Sequence, residues 1–184
     1  MNTASIGRRI AASVFARLSP DLREHVASMV ERRFEEIVYR RLAARGFRPG
    51  ALIDIGAFRG GWTRMARDIF GTPPALMVEP QGKLIPALQA YADAGRGLSL
   101  AHALIAGEAG REVDFNEMGT GSSMFAEASD APRTVQRMTT TTLDAVAGDA
   151  LPDARDLFLK IDVQGAELEV LRGGADTLAR AALV

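Results

Sequence analysis

The sequence predicts an α/β fold, a mostly parallel sheet with helices on both faces. Three short apolar runs, Ala51–Ile55, Ala75–Val78 and Leu98–Ile105, alternate with stretches of helical periodicity from about Trp62 to Phe70 and from about Lys83 to Ala94. That is the order of strands and crossover helices in a parallel sheet. A fourth apolar run, Leu157–Val163, leads directly into another helical stretch, Ala166–Arg180. At 184 residues and 47% hydrophobic content, the chain suits one globular core and leaves no room for a second full domain.

The first 48 residues read as a helical segment, and residues 49–184 as the core. Ile6, Ile10, Val14 and Leu18 stand four apart with Arg8, Arg9 and Arg17 beside them, a basic amphipathic helix. Such a helix lies on a membrane surface or docks on its own domain; docking is the expectation, with peripheral membrane contact as the alternative. Ser19-Pro20 then supplies an N-cap and a first-turn proline, and Val26, Val30, Phe34, Ile37, Val38 and Leu42 carry a second helix toward Arg45 and Gly46. Within the core, Pro86 is expected in the first turn of its helix. Glu112–Asn116 and Thr134–Thr140 predict a hairpin with a long polar loop, added to the edge of the sheet. In the helix over 166–180, Leu168, Leu171, Ala175 and Leu178 are expected to face inward, and Ala182–Val184 reads as the opening of another strand.

Charge narrows the function classes. Residues 1–48 hold ten arginines against five acids, whereas the rest holds twelve basic residues against eighteen acids. A nucleic-acid partner would need a dense basic stripe on the body of the domain, and the sequence shows none, so no nucleic acid is expected. The absence of cysteine excludes a disulfide framework, a thiolate zinc site and a cysteine nucleophile. No stretch of about eighteen uncharged apolar residues is present, and no signal peptide is read at the start. The expectation is a cytoplasmic protein without an integral membrane span. His25 and His102 stand in no catalytic or metal-ligating spacing and read as structural.

The segment LIDIGAFRGGW puts Asp54, Gly56 and Gly60 at the end of a strand and the start of a helix. Glycines there allow a tight turn and let a nucleotide approach the main chain, where the helix start offers free N–H groups. A dinucleotide fingerprint has three glycines as G-x-G-x-x-G and brings a pyrophosphate to this point. Here the pattern is D-x-G-x-x-x-G, with an aspartate where that anion would lie. S-adenosylmethionine carries an ammonium and a sulfonium and no phosphate, so Asp54 suits it better. Glu79, twenty-three residues after Gly56 at the end of the second strand, stands where a carboxylate can accept both ribose hydroxyls. Without a ligand, the two acids read as a helix cap and a solvated strand end.

The segment LFLKIDVQGAELEVLRGG is the second informative stretch. Alternation places Phe158, Lys160 and Asp162 on one face of the strand. A lysine inside a buried parallel strand is costly unless its ammonium is paired, and Asp162 is the nearest partner in sequence. Asp162 stands at the carboxyl end, where open α/β sheets bind ligands. It can take the acceptor's proton, orient the acceptor, hold a methionine ammonium, or join Glu167 around a cation; a plain Lys160–Asp162 pair is the structural alternative. Two carboxylates five apart without histidine are a poor metal set, and no metal is expected.

Taken together, LIDIGAFRGGW, MVEPQ, ALIAGEAG, Ser122–Met124, Thr141–Asp144 and LKIDVQGAELEVLRGG resemble the FkbM family of methyltransferases over about residues 51–184. The resemblance implies a Rossmann-like class I methyltransferase sheet, S-adenosylmethionine as methyl donor, and O-methylation of a hydroxyl on a sugar, glycolipid or secondary metabolite. Motif by motif it implies cofactor contacts at Asp54, Gly56, Ala57, Gly60, Glu79 and Pro80, the adenine near Ala103 and Leu104, and Asp162 at the reacting methyl group, with Lys160 beside it as the second catalytic candidate. Ser122 and Ser123 read as a loop at the active-site mouth or as an ordinary loop. This fold carries two further strands after the one opening at Ala182, so the reading treats the chain as truncated there. The alternatives are a nicotinamide-dependent oxidoreductase, disfavoured by Asp54 and the missing third glycine, and a truncated relative that binds cofactor without catalysis. A base methyltransferase would show an Asn/Asp-Pro-Pro-aromatic strand end, and this one reads Ile-Asp-Val-Gln-Gly.

Overall fold

A computed structural model of the chain describes residues 19–117 and 134–184. The chain divides into two compact units, residues 1–45 and 46–184. In the first, helix α1 (Pro20–Ala44) starts where the Ser19 hydroxyl accepts the Leu22 amide at 3.4 Å, with proline in its first turn. Glu36 pairs with Arg33 and Arg40, one helical turn away on either side. Phe34 and Ile37, two members of the expected apolar stripe, are exposed. The expected helix over 5–18 lies outside the described residues.

The second unit runs β1 (Ala51–Ile55), α2 (Gly61–Phe70), β2 (Ala75–Val78), a 3₁₀ turn (Gly82–Leu84), α3 (Ile85–Ala94) and β3 (Leu98–Ala101). It continues with β4 (Leu104–Ile105), β5 (Glu112–Glu117), β6 (Thr134–Thr141), α4 (Leu143–Ala150), β7 (Leu157–Ile161), α5 (Glu167–Arg172), α6 (Ala175–Leu178) and β8 (Ala181–Leu183). The main sheet has the order β3-β2-β1-β7-β8, every pairing parallel. Strand order therefore reverses at β1, whose two neighbours are β2 and β7. At such a switch point the crossovers leave in opposite directions and open a crevice at the carboxyl ends.

Register explains why both faces are covered. Ile53 lies level with Leu76 on one side and Leu159 on the other, and this face receives Leu143 and Ala147 of α4 and Val170 of α5. The opposite face carries Leu52, Met77 and Phe158, with Leu88 of α3 against Met77. On the same face the Phe158 ring meets Trp62, Phe70 and Phe47 edge-on, at centroid distances of 5.2–5.9 Å. A strand buried on both faces has little place for a polar side chain, which is why its few polar residues are informative.

Three expectations are corrected. The run Leu98–Ile105 is two strands: β3 ends at Ala101, and β4 leaves the main sheet to pair in parallel with β6. Consequently β5 and β6, which do pair antiparallel, belong to a separate sheet of order β4-β6-β5 and are not added to the main sheet's edge. The helix expected over 166–180 breaks at Gly173-Gly174, where a Cβ on Gly173 would overlap the Ala106 carbonyl and one on Gly174 would press on Leu143. That close approach requires glycine; of the residues expected to face inward, Leu178 packs against the core, while Leu168, Leu171 and Ala175 are exposed and Val170 is buried in their place.

Helix α4 has no counterpart among the elements expected from sequence. Its N-cap is Thr142, whose hydroxyl accepts the Ala145 amide at 3.2 Å. Asp144, in its first turn, reaches the start of α6 and accepts the Thr177 amide at 2.7 Å, the Thr177 hydroxyl at 2.7 Å and the Asp176 amide at 3.1 Å. Partial burial by itself would raise the Asp144 carboxyl, but these donors outweigh it and hold the pKa below the ordinary aspartate value. A depressed folded-state value stabilises above the unfolded pKa of about 3.9 and is lost as pH falls through the folded value. Asp144→Ala is therefore expected to cost on the order of 1–3 kcal/mol at neutral pH and to flatten the acid side of the stability profile. Denaturant titrations of both proteins from neutral pH to pH 3 check this, and equal stabilities throughout would refute the capping role.

Candidate active site

The carboxyl ends of β1, β2 and β7 bring together most of the residues singled out in the sequence. At the end of β1 the chain turns through Gly56 (φ +78°), Phe58 (φ +50°) and Gly60 (φ +69°) before α2 begins. Gly56 and Ala57 both donate their amides to the Val78 carbonyl at 3.0 Å, which ties the turn to β2. A side chain on Gly56 would overlap the carbonyl of Asp162, so the turn also lies against the end of β7. Phe58 is not a glycine, and a left-handed backbone costs such a residue roughly 1–2 kcal/mol. Its amide is held by Glu79 Oε2 at 2.6 Å.

Glu79 is 2% exposed and is therefore a bracing group as well as a ligand candidate. Its second oxygen accepts the Gln81 amide at 2.9 Å, so one carboxylate joins the glycine turn to the loop after β2. Burial pushes its pKa up; the bonds from Gln81 and Phe58 oppose that rise, and the nearby charge of Asp54 adds to it. Pro80 follows, half-buried, with its carbonyl 3.0 Å from His102 Nε2. Ala103 and Leu104 stand where the chain passes from β3 to the small sheet, Leu104 level with Thr140.

Asp54 is fully buried and lies beside Lys160 in the β1–β7 register. Thr63 of α2 donates its hydroxyl to Asp54 Oδ2 at 2.6 Å. Lys160 Nζ approaches Asp54 Oδ1 at 3.2 Å, the Gly56 carbonyl at 3.1 Å and Asp162 Oδ2 at 3.2 Å. The partner foreseen for Lys160 is thus present, and a second one, Asp54, is present beside it. Burial pushes the Asp54 carboxyl up, against Lys160 and Thr63. Burial would also lower the Lys160 ammonium, but the charges of Asp54 and Asp162 outweigh it and hold it above the ordinary lysine value. The two shifts pull the pair in different directions. The geometry decides for the ionised form, since an ammonium facing two carboxylates and a carbonyl has a partner for each of its three protons.

Asp162 lies just beyond β7, its amide on the Ile55 carbonyl at 3.0 Å and its side chain 60% exposed. Gln164 (φ +33°) and Gly165 (φ +82°) then turn the chain into α5, and Glu167 Oε1 accepts the Gly165 amide at 3.1 Å. Glu167 therefore closes its own turn. Ser122 and Ser123 lie outside the described residues. Thr63 has no counterpart among the site residues expected from the sequence; its signal is a hydroxyl on a buried helix face shared with Trp62, Ala66, Arg67 and Phe70.

The whole arrangement coincides with one family signature: the Methyltransferase FkbM domain matches residues 54–183, from the buried aspartate of β1 to the end of β8. The chain belongs to the FkbM methyltransferase family. No curated protein matches the sequence. The FkbM match spans both informative segments, so the glycine turn and the Lys160–Asp162 strand end are parts of one domain. Among the described residues of this FkbM chain, no helix is long and apolar enough to cross a membrane.

Proposed function

We propose that this chain is an S-adenosylmethionine-dependent methyltransferase that methylates a hydroxyl of a sugar, glycolipid or secondary metabolite. The observation that carries the reading is the meeting of a left-handed glycine turn with three carboxylates, Asp54, Glu79 and Asp162, at the switch point of a parallel sheet. Lys160 neutralises Asp54, so the net negative charge of the crevice rests on Glu79 and Asp162, which suits a cationic, hydroxyl-bearing donor and opposes a pyrophosphate.

The residues fit the donor by their chemistry. A carboxylate offers about four acceptor positions, and Glu79 uses three on the Phe58 amide, the Gln81 amide and the Gln81 side chain. A ribose hydroxyl takes the remaining one. Gly56, Ala57, Gly60 and Pro80 shape the surrounding backbone, with Ala103 and Leu104 on the adenine side. When bound, the sulfonium supplies an activated methyl group. The protein's work is then to align the acceptor oxygen and manage its proton, which falls to Asp162, the carboxylate most open to solvent. The hydroxyl acceptor and its chemical class rest on the FkbM resemblance.

Glu79→Ala tests the donor site. It is expected to weaken S-adenosylmethionine binding tenfold or more, the equivalent of one lost charge-assisted hydrogen bond of about 1.5–3 kcal/mol. Titration calorimetry with S-adenosylmethionine, and with NAD as a competitor class, reads this directly. Equal affinity in the variant would remove Glu79 from the site, and preferential NAD binding would overturn the proposal.

A further inference from the structure

We infer that Lys160 is the positioning residue of this site: its ammonium draws the ends of β1 and β7 and the glycine turn onto one point and presents Asp162 in a fixed orientation. The inference rests on the methyltransferase reading above. Lysine has three protons to donate, and here three acceptors surround it: Asp54 Oδ1 at 3.2 Å, the Gly56 carbonyl at 3.1 Å and Asp162 Oδ2 at 3.2 Å. With every donor committed, the ammonium acts through the groups it holds.

Each partner comes from a different part of the site. Asp54 belongs to β1 and is fixed from its other side by the Thr63 hydroxyl of α2 at 2.6 Å. Gly56 is the first residue of the left-handed turn, and Asp162 is the exposed carboxylate. Thr63, Asp54, Lys160 and Asp162 thus form one unbroken chain of hydrogen bonds ending in an ion pair, from the inner face of a helix to the solvent side of the crevice. Its charges are arranged to match. The buried part, Asp54 with Lys160, is neutral, and the surplus negative charge stands at the exposed end on Asp162. The charge of Asp54 also reaches Glu79 at the end of β2 and raises its carboxyl.

A lysine that merely neutralises a buried aspartate predicts something different from one that positions, and a double substitution separates them. Lys160→Met alone leaves Asp54 buried without a cation and is expected to lower Tm. Lys160→Met combined with Asp54→Asn removes both charges, so Tm is expected to recover. If Lys160 positions, the double variant binds S-adenosylmethionine about tenfold or more weakly than Asp54→Asn alone by calorimetry, because only the single variant keeps Lys160 on Gly56 and Asp162. Equal affinity of the single and double variants would overturn the inference. Hydrogen exchange in the ligand-free protein supplies a reading that needs no donor. The amides of residues 56–60 and 162–165 are expected to exchange faster in the double variant than in the unaltered chain at matched Tm, and equal rates would overturn it as well. Failure of the unaltered chain to bind S-adenosylmethionine would count against the donor assignment, and the exchange result would still decide the role of Lys160.

Discussion

Asp162→Asn is expected to reduce methyl transfer by about 10²–10⁴-fold, the usual worth of a positioned acid–base group, while leaving the fold intact. Asparagine keeps the size of the side chain and an oxygen for Lys160 Nζ, which now stands 3.2 Å from Oδ2. It removes the negative charge and the ability to take a proton. Because the side chain is 60% exposed, loss of its ion pair with Lys160 is expected to change stability by no more than about 1 kcal/mol. The measurement is transfer of a labelled methyl group from S-adenosylmethionine to a hydroxyl acceptor, with Tm determined on the same samples. A rate near that of the unaltered protein, at unchanged Tm, would take Asp162 out of the chemistry.

The largest effect on stability is expected from Gly56→Ala. Position 56 has φ +78°, and its Cβ would enter the space of the Asp162 carbonyl. Only part of the cost is the left-handed backbone, roughly 1–2 kcal/mol. The rest is the separation of β1 from the end of β7, where the Asp162 amide bonds the Ile55 carbonyl and Lys160 bonds the Gly56 carbonyl. A total above about 4 kcal/mol would place it among the exceptional single substitutions. Gly61→Ala serves as the control, since a Cβ there meets nothing within 4 Å and position 61 opens a helix. Urea unfolding of the two variants is expected to differ sharply; similar midpoints would show that β1 and β7 do not need the close approach.

The main sheet was legible because its strands announce themselves: Ala51–Ile55, Ala75–Val78 and Leu157–Ile161 are buried on both faces and therefore almost wholly apolar. The small sheet was not, since hydrophobicity does not mark where one strand stops pairing and another begins within Leu98–Ile105. For the helix after β7 the sign of the break, Gly173-Gly174, stood in the sequence, but its reason is the Ala106 carbonyl, a contact from far along the chain. Lys160 shows the same limit inside the site. Period-two alternation revealed that it needed a partner and pointed to Asp162, two residues away. Asp54 is 106 residues distant and becomes its neighbour only once β1 lies beside β7 in register. Local pattern named the charged residues; tertiary pairing decided which of them form ion pairs.

That distance of 106 residues has a meaning for how the protein is made. A ribosome adding roughly 5–20 residues per second delivers Lys160 on the order of 5–20 s after Asp54. During that interval β1, β2 and β3 can already find one another, since their pairings are closer in sequence. The aspartate at the centre of this early half has no cation, and an isolated carboxylate resists withdrawal from water. Until then the carboxylate stays hydrated or takes up a proton, and its burial as an ion is completed only when β7 pairs with β1 and brings the lysine.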